Sequence, residues 1–309
     1  MDMGFFNRKQ RPVENITFIA MMVGFNALIS LIATWLPFSG IFIMLLAPLT
    51  SAAVCLFCRT RYVPLYILSV LGISLAVTFW DIHNTVFYLI PAVMTGVCYG
   101  ILLVARLPRV YLLFLTAIVA MGFFFLSLSL IKWFLGGLDM ANVLLTMIGR
   151  PNDEIGRKIF PLFGWAYSLA QVGIMHLFLS MQFSKLGIQE EEGNAHPLLE
   201  GATALIPFGL SIGLAFINIE FGYLFLGFGL FWFICLSRYF FPKIFPICGV
   251  FLFISILGGI FSFAALFAKM PPYSGLILFA VPGVLVSLTG ALNGLLLKKN
   301  ASSGQPKEL

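Results

Sequence analysis

The densest run of side chains able to do chemistry is Trp80-Asp81-Ile82-His83-Asn84-Thr85. A carboxylate and an imidazole two residues apart can hold a cation, a proton or the polar head of a ligand, and an adjacent indole offers a stacking wall. The same run also suits a turn at a membrane surface, with Trp anchored among headgroups and Asp or Asn capping the next helix. It is either a ligand site or such a turn. Asn218 and Glu220 form a second candidate pair, flanked by long apolar runs. A Glu buried there needs a partner or a raised pKa. Lys132, beside Trp133, is either that partner or a snorkelling cation next to an anchoring indole. Gln171 and His176 lie inside another apolar run, where a lone His more often bonds a neighbouring helix than carries protons.

The five cysteines are Cys55, Cys58, Cys98, Cys235 and Cys248. All fall in or at the ends of apolar runs, a pattern of buried, inert thiols rather than a disulfide framework. Cys55 and Cys58 make one CxxC with no second pair or His nearby, so no metal is expected. The sequence carries no Gly-rich phosphate loop, HExxH, nucleophile elbow or paired carboxylates at helical spacing. We therefore expect neither an enzyme nor a bound cofactor. A membrane-embedded enzyme acting on lipids would need ionisable side chains clustered at one depth.

The elements that must position these residues are written in the composition. Hydrophobic residues make up 61% of the 309, and Asp, Glu, Lys and Arg only 10%, against about 25% in a soluble domain. The 34 Phe and 29 Gly suit helices in lipid, Phe facing acyl chains and Gly letting backbones approach. Charge is confined to short gaps between apolar runs of roughly 20 residues, the length that crosses a hydrocarbon core. The predicted fold is an all-α, polytopic transmembrane helical bundle. About ten spans are predicted, near 15–36, 39–58, 62–80, 84–105, 110–131, 160–183, 200–218, 221–237, 244–268 and 274–296. A shorter helix over Met140–Ile148 is expected to lie on the outer surface or dip into the bundle.

Placing both termini in the cytoplasm leaves Lys132, Arg150, Arg157, Lys158 and Lys269 outside and the rest of the 18 Lys and Arg inside, as the positive-inside rule requires. The net charge of +6 then reflects basic loops meeting anionic membrane lipids, and no nucleic-acid partner is expected. The inside segment 184–200 holds Glu190, Glu191 and Glu192. It reads as an acidic linker between a six-span unit over 1–183 and a four-span unit over 201–309, with a short cytoplasmic tail.

In the first span, Ala20, Gly24 and Ala27 fall on nearly one helical face, a small-residue surface that can pack against the chain's own helices or a partner subunit. Pro37, Pro48, Pro91, Pro207 and Pro282 can end or kink spans. The sequons at Asn15 and Asn300 lie at cytoplasmic ends, so glycosylation is not expected.

The basic start, the run Phe18-Ile-Ala-Met-Met-Val-Gly-Phe-Asn-Ala-Leu-Ile-Ser30, the Leu36-Pro37 turn and the Gly-spaced segment Leu89-Ile-Pro-Ala-Val-Met-Thr-Gly-Val-Cys-Tyr-Gly100 carry a resemblance. Residues 10–183 resemble the substrate-binding (S) components of energy-coupling-factor vitamin transporters. The whole layout is similar to the YybS-like family of bacterial integral membrane proteins, which is related to those components. The resemblance implies six spans with an inside N-terminus. Ala20, Gly24 and Ala27 match loosely the motif that docks a transmembrane coupling subunit, and a partner ATPase would supply energy. The four additional spans depart from that plan.

The expectation is a bacterial inner-membrane protein that binds or transports a small or lipid-like molecule in an outward-opening cavity. That cavity would lie among the first six spans and the 136–158 segment. The alternative is a non-transporting membrane scaffold that organises another complex, supported by the Gly- and Phe-rich surface and the scarcity of intramembrane charge.

Overall fold

A computed structural model describes residues 9, 11–35, 40–82, 85–134, 140–147, 154–185, 197–240 and scattered positions between 273 and 299. The described residues are all-helical, with no strand among them. Among the described residues, five helical segments are long and apolar enough to cross a membrane: Pro12–Trp35, Thr60–Val77, Thr85–Val104, Arg109–Trp133 and Phe160–Met181. Shorter apolar stretches run over Leu46–Phe57, Leu199–Ala215 and Ile219–Trp232. This is a membrane protein. The predicted span near 244–268 lies outside the described residues.

Helices α1 (Pro12–Trp35), α2 (Gly40–Phe57), α3 (Val63–Val77), α4 (Ile90–Val104) and α5 (Arg109–Phe134) follow one another in the first part of the chain. After them come α6 (Met140–Met147), α7 (Glu154–Lys185), α8 (Pro197–Ala215) and α9 (Ile219–Phe240). Helix α1 starts where the sequence allows it. Pro12 needs no amide partner at the first helical position, and the Glu14 side chain reaches back to accept from the Arg11 amide at 3.4 Å. Helix α7 begins at Glu154, about a turn and a half before the predicted apolar segment. Hydropathy marks only the lipid-facing middle of such a helix, and Arg157 and Lys158 extend it at a polar end.

The chain forms two compact units, residues 1–140 with 166–193, and residues 141–165 with 194–309. In the first unit α1 and α3 run in the same direction, since Asn15 meets Arg59 and Asn26 meets Tyr66. Helices α2 and α4 also run parallel, because Gly96 faces Pro48 and Gly100 faces Ala52 and Cys55. A β-carbon on Gly96 would fall 2.5 Å from both Cα and O of Pro48, closer than two unbonded atoms can approach. Glycine here lets two backbones touch, which matters because lipid offers no hydrophobic gain for bringing helices together. Around this contact lie buried Ile43, Ala47 and Val54 of α2, Ala92 and Val97 of α4, and Val23 of α1. Pro48 sits inside α2 and Pro207 inside α8, while Pro91 lies in the first turn of α4. Pro37 and Pro282 are outside the described residues.

In the second unit α8 and α9 form an antiparallel hairpin. The Ser211 hydroxyl donates to the Gly222 carbonyl at 2.9 Å, and the Phe208 ring lies against Gly229 and Gly283. Trp165 is buried and donates its indole N–H to the Gly227 carbonyl at 2.9 Å. Short α6, at the predicted surface-helix position, packs Leu145 against Gly156.

Large apolar side chains cover the outside. On α1 alone Val13, Ile16, Met21, Phe25, Leu28 and Ile32 are exposed, far more apolar surface than water tolerates. Acyl chains are the solvent that accepts it.

Candidate functional site

The run from Trp80 to Thr85 lies at the end of α3. Phe79–Asp81 is a 3-10 turn, and Thr85–Leu89 is a π-helical turn leading into α4. The Asp81 amide donates to the Thr78 carbonyl at 2.9 Å, and the Thr78 and Thr85 hydroxyls are bonded to each other. Thr78 also donates back to the Ser74 carbonyl at 2.7 Å. Both threonines are buried, Asp81 is half-buried and Trp80 is exposed, its ring edge-on to Phe79 at 5.0 Å. His83 and Asn84 lie outside the described residues.

Asn218 and Glu220 are both exposed, at the turn between α8 and α9. The Glu220 amide donates to the Asn218 side-chain oxygen at 2.9 Å. Asn218 thus caps α9, and Glu220 places its carboxylate in the first turn, where the helix dipole favours negative charge. Phe216 and Ile217 beside them are more than four-fifths exposed. This pair belongs to the second unit and the Trp80 turn to the first.

On α1, Ala20 and Gly24 are exposed and Ala27 is half-buried. A β-carbon on Gly24 would meet no described atom within 4 Å. At Ala20 and Gly24 this small-residue face is therefore open, while Ala27 at its end is partly covered. The close backbone approach uses Gly96 and Gly100 instead.

A polar cluster inside the first unit joins α1, α2 and α3. The Asn26 amide nitrogen shares its two N–H groups among three acceptors, the Thr50 hydroxyl at 2.8 Å, the Tyr66 hydroxyl at 3.0 Å and the Met22 carbonyl at 2.9 Å. The Tyr66 hydroxyl also bonds Ser51 at 2.9 Å and Thr50 at 3.2 Å. All four residues are buried. Asn26 Oδ1, Ser30 Oγ and Ser74 Oγ are buried near this seam without hydrogen-bond partners. Such atoms are uncommon in a folded interior and are the ones a bound polar group satisfies. Among the described residues of this unit no Asp, Glu, Lys or Arg is buried, so the interior offers neutral donors and acceptors rather than charge. Sequence reasoning missed this cluster. The available signal was a lone Asn in the middle of an apolar run, a costly placement unless neighbouring helices answer it.

His176 on α7 and Tyr99 on α4 are bonded at 2.8 Å, so His176 does bond a neighbouring helix. The Cys55 thiol faces the Val97 carbonyl at 3.6 Å, and the Cys58 thiol faces the Asn15 carbonyl at 4.0 Å. The two thiols therefore serve different helices. Asn15 itself is fully buried, which shields its sequon whichever side of the membrane it occupies.

Comparison of the chain with family models, curated proteins and solved structures finds no match.

Proposed function

We propose that the protein binds a small or lipid-like neutral molecule in its first unit, in the manner of an S component, within a bacterial inner membrane. The observation that carries this reading is the polar line on the buried side of α3. Tyr66, Ser74 and Thr78 are buried, and the line ends beside Asp81 and Trp80. It covers about 18 Å of helix, and unanswered polar atoms at Ser74, Ser30 and Asn26 lie along it. A ligand entering at the Trp80 end would exchange water for these groups.

In this proposal the chain has ten spans, both ends cytoplasmic, and the YybS-like division into six and four. Movement is driven by a partner ATPase through a transmembrane coupling subunit. The Ala20–Gly24–Ala27 face supports a docking role, because Ala20 and Gly24 are exposed and a β-carbon on Gly24 would meet no described atom. The same face supports the second reading, a scaffold that holds another membrane complex without transporting anything.

Native mass spectrometry of protein purified from its own membranes separates the two. S-component behaviour predicts a bound ligand and a recovered ATPase with its coupling subunit. Asp81→Ala with Ser74→Ala should strip the ligand, and Gly24→Leu should strip the partner while the bundle stays folded. A partner without a ligand is the scaffold outcome. Recovery of neither sinks both readings.

A further inference from the structure

The end of the first unit remote from Trp80 is built as a cationic notch, and its architect is Asn15. This side chain is wholly buried. Its amide donates to the carbonyls of Arg11 at 2.7 Å and Lys9 at 3.2 Å, and its oxygen accepts from the Arg59 amide at 2.9 Å. The Lys9 amide in turn donates to the Phe57 carbonyl at 2.7 Å. One neutral side chain thereby fixes the backbones of three basic residues around itself, from two chain segments more than forty residues apart in sequence.

Arg61 follows in the 3-10 turn Thr60–Tyr62. Its guanidinium lies 4.9 Å from the centre of the Tyr62 ring and donates to the Tyr62 hydroxyl at 3.0 Å. Over residues 9–16 and 58–62 the only acid is Glu14, which stands 4.0 Å from Arg11. These two segments thus carry four cations and one carboxylate, and the Lys9 ammonium lies over the Phe18 ring at 5.8 Å.

Exposed apolar surface begins at once beyond these charges. Val13 and Ile16 on α1 and Leu65 and Leu68 on α3 are all exposed, and α1 and α3 pack side by side. Positive charge held at the rim of an apolar helix pair is the arrangement that suits a headgroup phosphate with its acyl chains alongside.

We propose that this notch binds an anionic phospholipid. Its phosphate sits among Lys9, Arg11, Arg59 and Arg61, and its acyl chains lie against Val13, Ile16, Leu65 and Leu68. Charge complementarity selects the headgroup. The apolar flank selects a lipid over free phosphate, which cannot use that surface. The site does not depend on the proposed transport role, since it lies at the opposite end of α1 and α3 from the Trp80 turn.

The test uses the full chain in a zwitterionic detergent. Retained lipid is read by native mass spectrometry and apparent affinity by thermal-shift titration. Phosphatidylglycerol, phosphatidylcholine, glycerol phosphate and inorganic phosphate are compared at equal concentration. Phosphatidylglycerol should bind and stabilise, with an effect that falls as salt rises, and the other three should not.

Arg59→Ala with Arg61→Ala removes two cations but leaves the Arg59 backbone amide to Asn15. It should weaken phosphatidylglycerol about thirty-fold, whereas Arg59→Lys with Arg61→Lys should restore most of the binding. Equal binding of both lipids, or unchanged phosphatidylglycerol affinity in the alanine pair, overturns the site. An equal response to inorganic phosphate overturns the lipid assignment. Should the alanine pair fail to fold, Arg61→Gln alone decides, since it leaves Arg59 and its contact with Asn15 in place: unchanged phosphatidylglycerol affinity, or no fall in that affinity as salt rises on the native chain, overturns the site.

Discussion

Asn26 and Tyr66 concentrate the polar energetics of the first unit in two side chains. Their bond joins α1 to α3, and both also reach Thr50 on α2. Interhelical hydrogen bonds in membranes contribute modestly, about 0.6 kcal/mol on average and up to about 1.7. A double-mutant cycle with Asn26→Leu and Tyr66→Phe should therefore give a coupling of about 1 kcal/mol in detergent unfolding. A coupling indistinguishable from zero would mean that the cluster does not fasten these helices. Asp81 shows what residue types alone could carry. Its place at a turn end was readable from the run of polar residues. The Thr78–Thr85 bond that closes the turn was not, because it joins hydroxyls seven positions apart across a change from 3-10 to π geometry.

Helices obey hydropathy closely, whereas their faces do not. The apolar runs near 15–36, 110–131 and 200–218 coincide with α1, α5 and α8, since a lipid-crossing segment must satisfy its backbone internally and can do so only as helix. Which side of a helix turns inward is harder to read when every side is apolar. Gly24 and Gly96 illustrate this, for both sit in small-residue patterns. A β-carbon on Gly96 collides with backbone, while one on Gly24 meets open space. The same substitution should then act with opposite sign. Gly96→Ala should destabilise by about 1–3 kcal/mol, and Gly24→Ala should stabilise by up to about 1 kcal/mol through helix propensity. Unfolding of the two variants in mixed micelles checks this, and equal stabilities would refute the close α2–α4 contact.

For the molecule as a whole, the proposed orientation puts Asn218 outside and Asn300 inside. In a cysteine-free background, Asn218→Cys should react with an impermeant maleimide on intact cells, and Asn300→Cys only after lysis. The reverse pattern would invert the protein, and labelling of both from outside would mean an even number of spans between them rather than the predicted three. The parallel pairings of α1 with α3 and of α2 with α4 agree with alternate crossings. Glu190, Glu191 and Glu192 of the predicted acidic linker lie outside the described residues. Grouping of residues 141–165 with the later chain was not legible in the sequence, because contacts such as Trp165 with Gly227 link positions far apart in sequence.

The ring of Phe208 carries one more consequence, and it concerns time. Gly229 flanks the ring from the next helix, but Gly283 is made about 75 residues after Phe208. At synthesis rates of about 5–20 residues per second, the half-built hairpin waits several seconds for its last wall. Through that interval the side of the ring that Gly283 will cover has only lipid or a chaperone to rest on. A ribosome stalled before residue 283 would therefore release a chain whose first unit has all its helices but whose second cannot close. Such a chain is a natural target for membrane quality control.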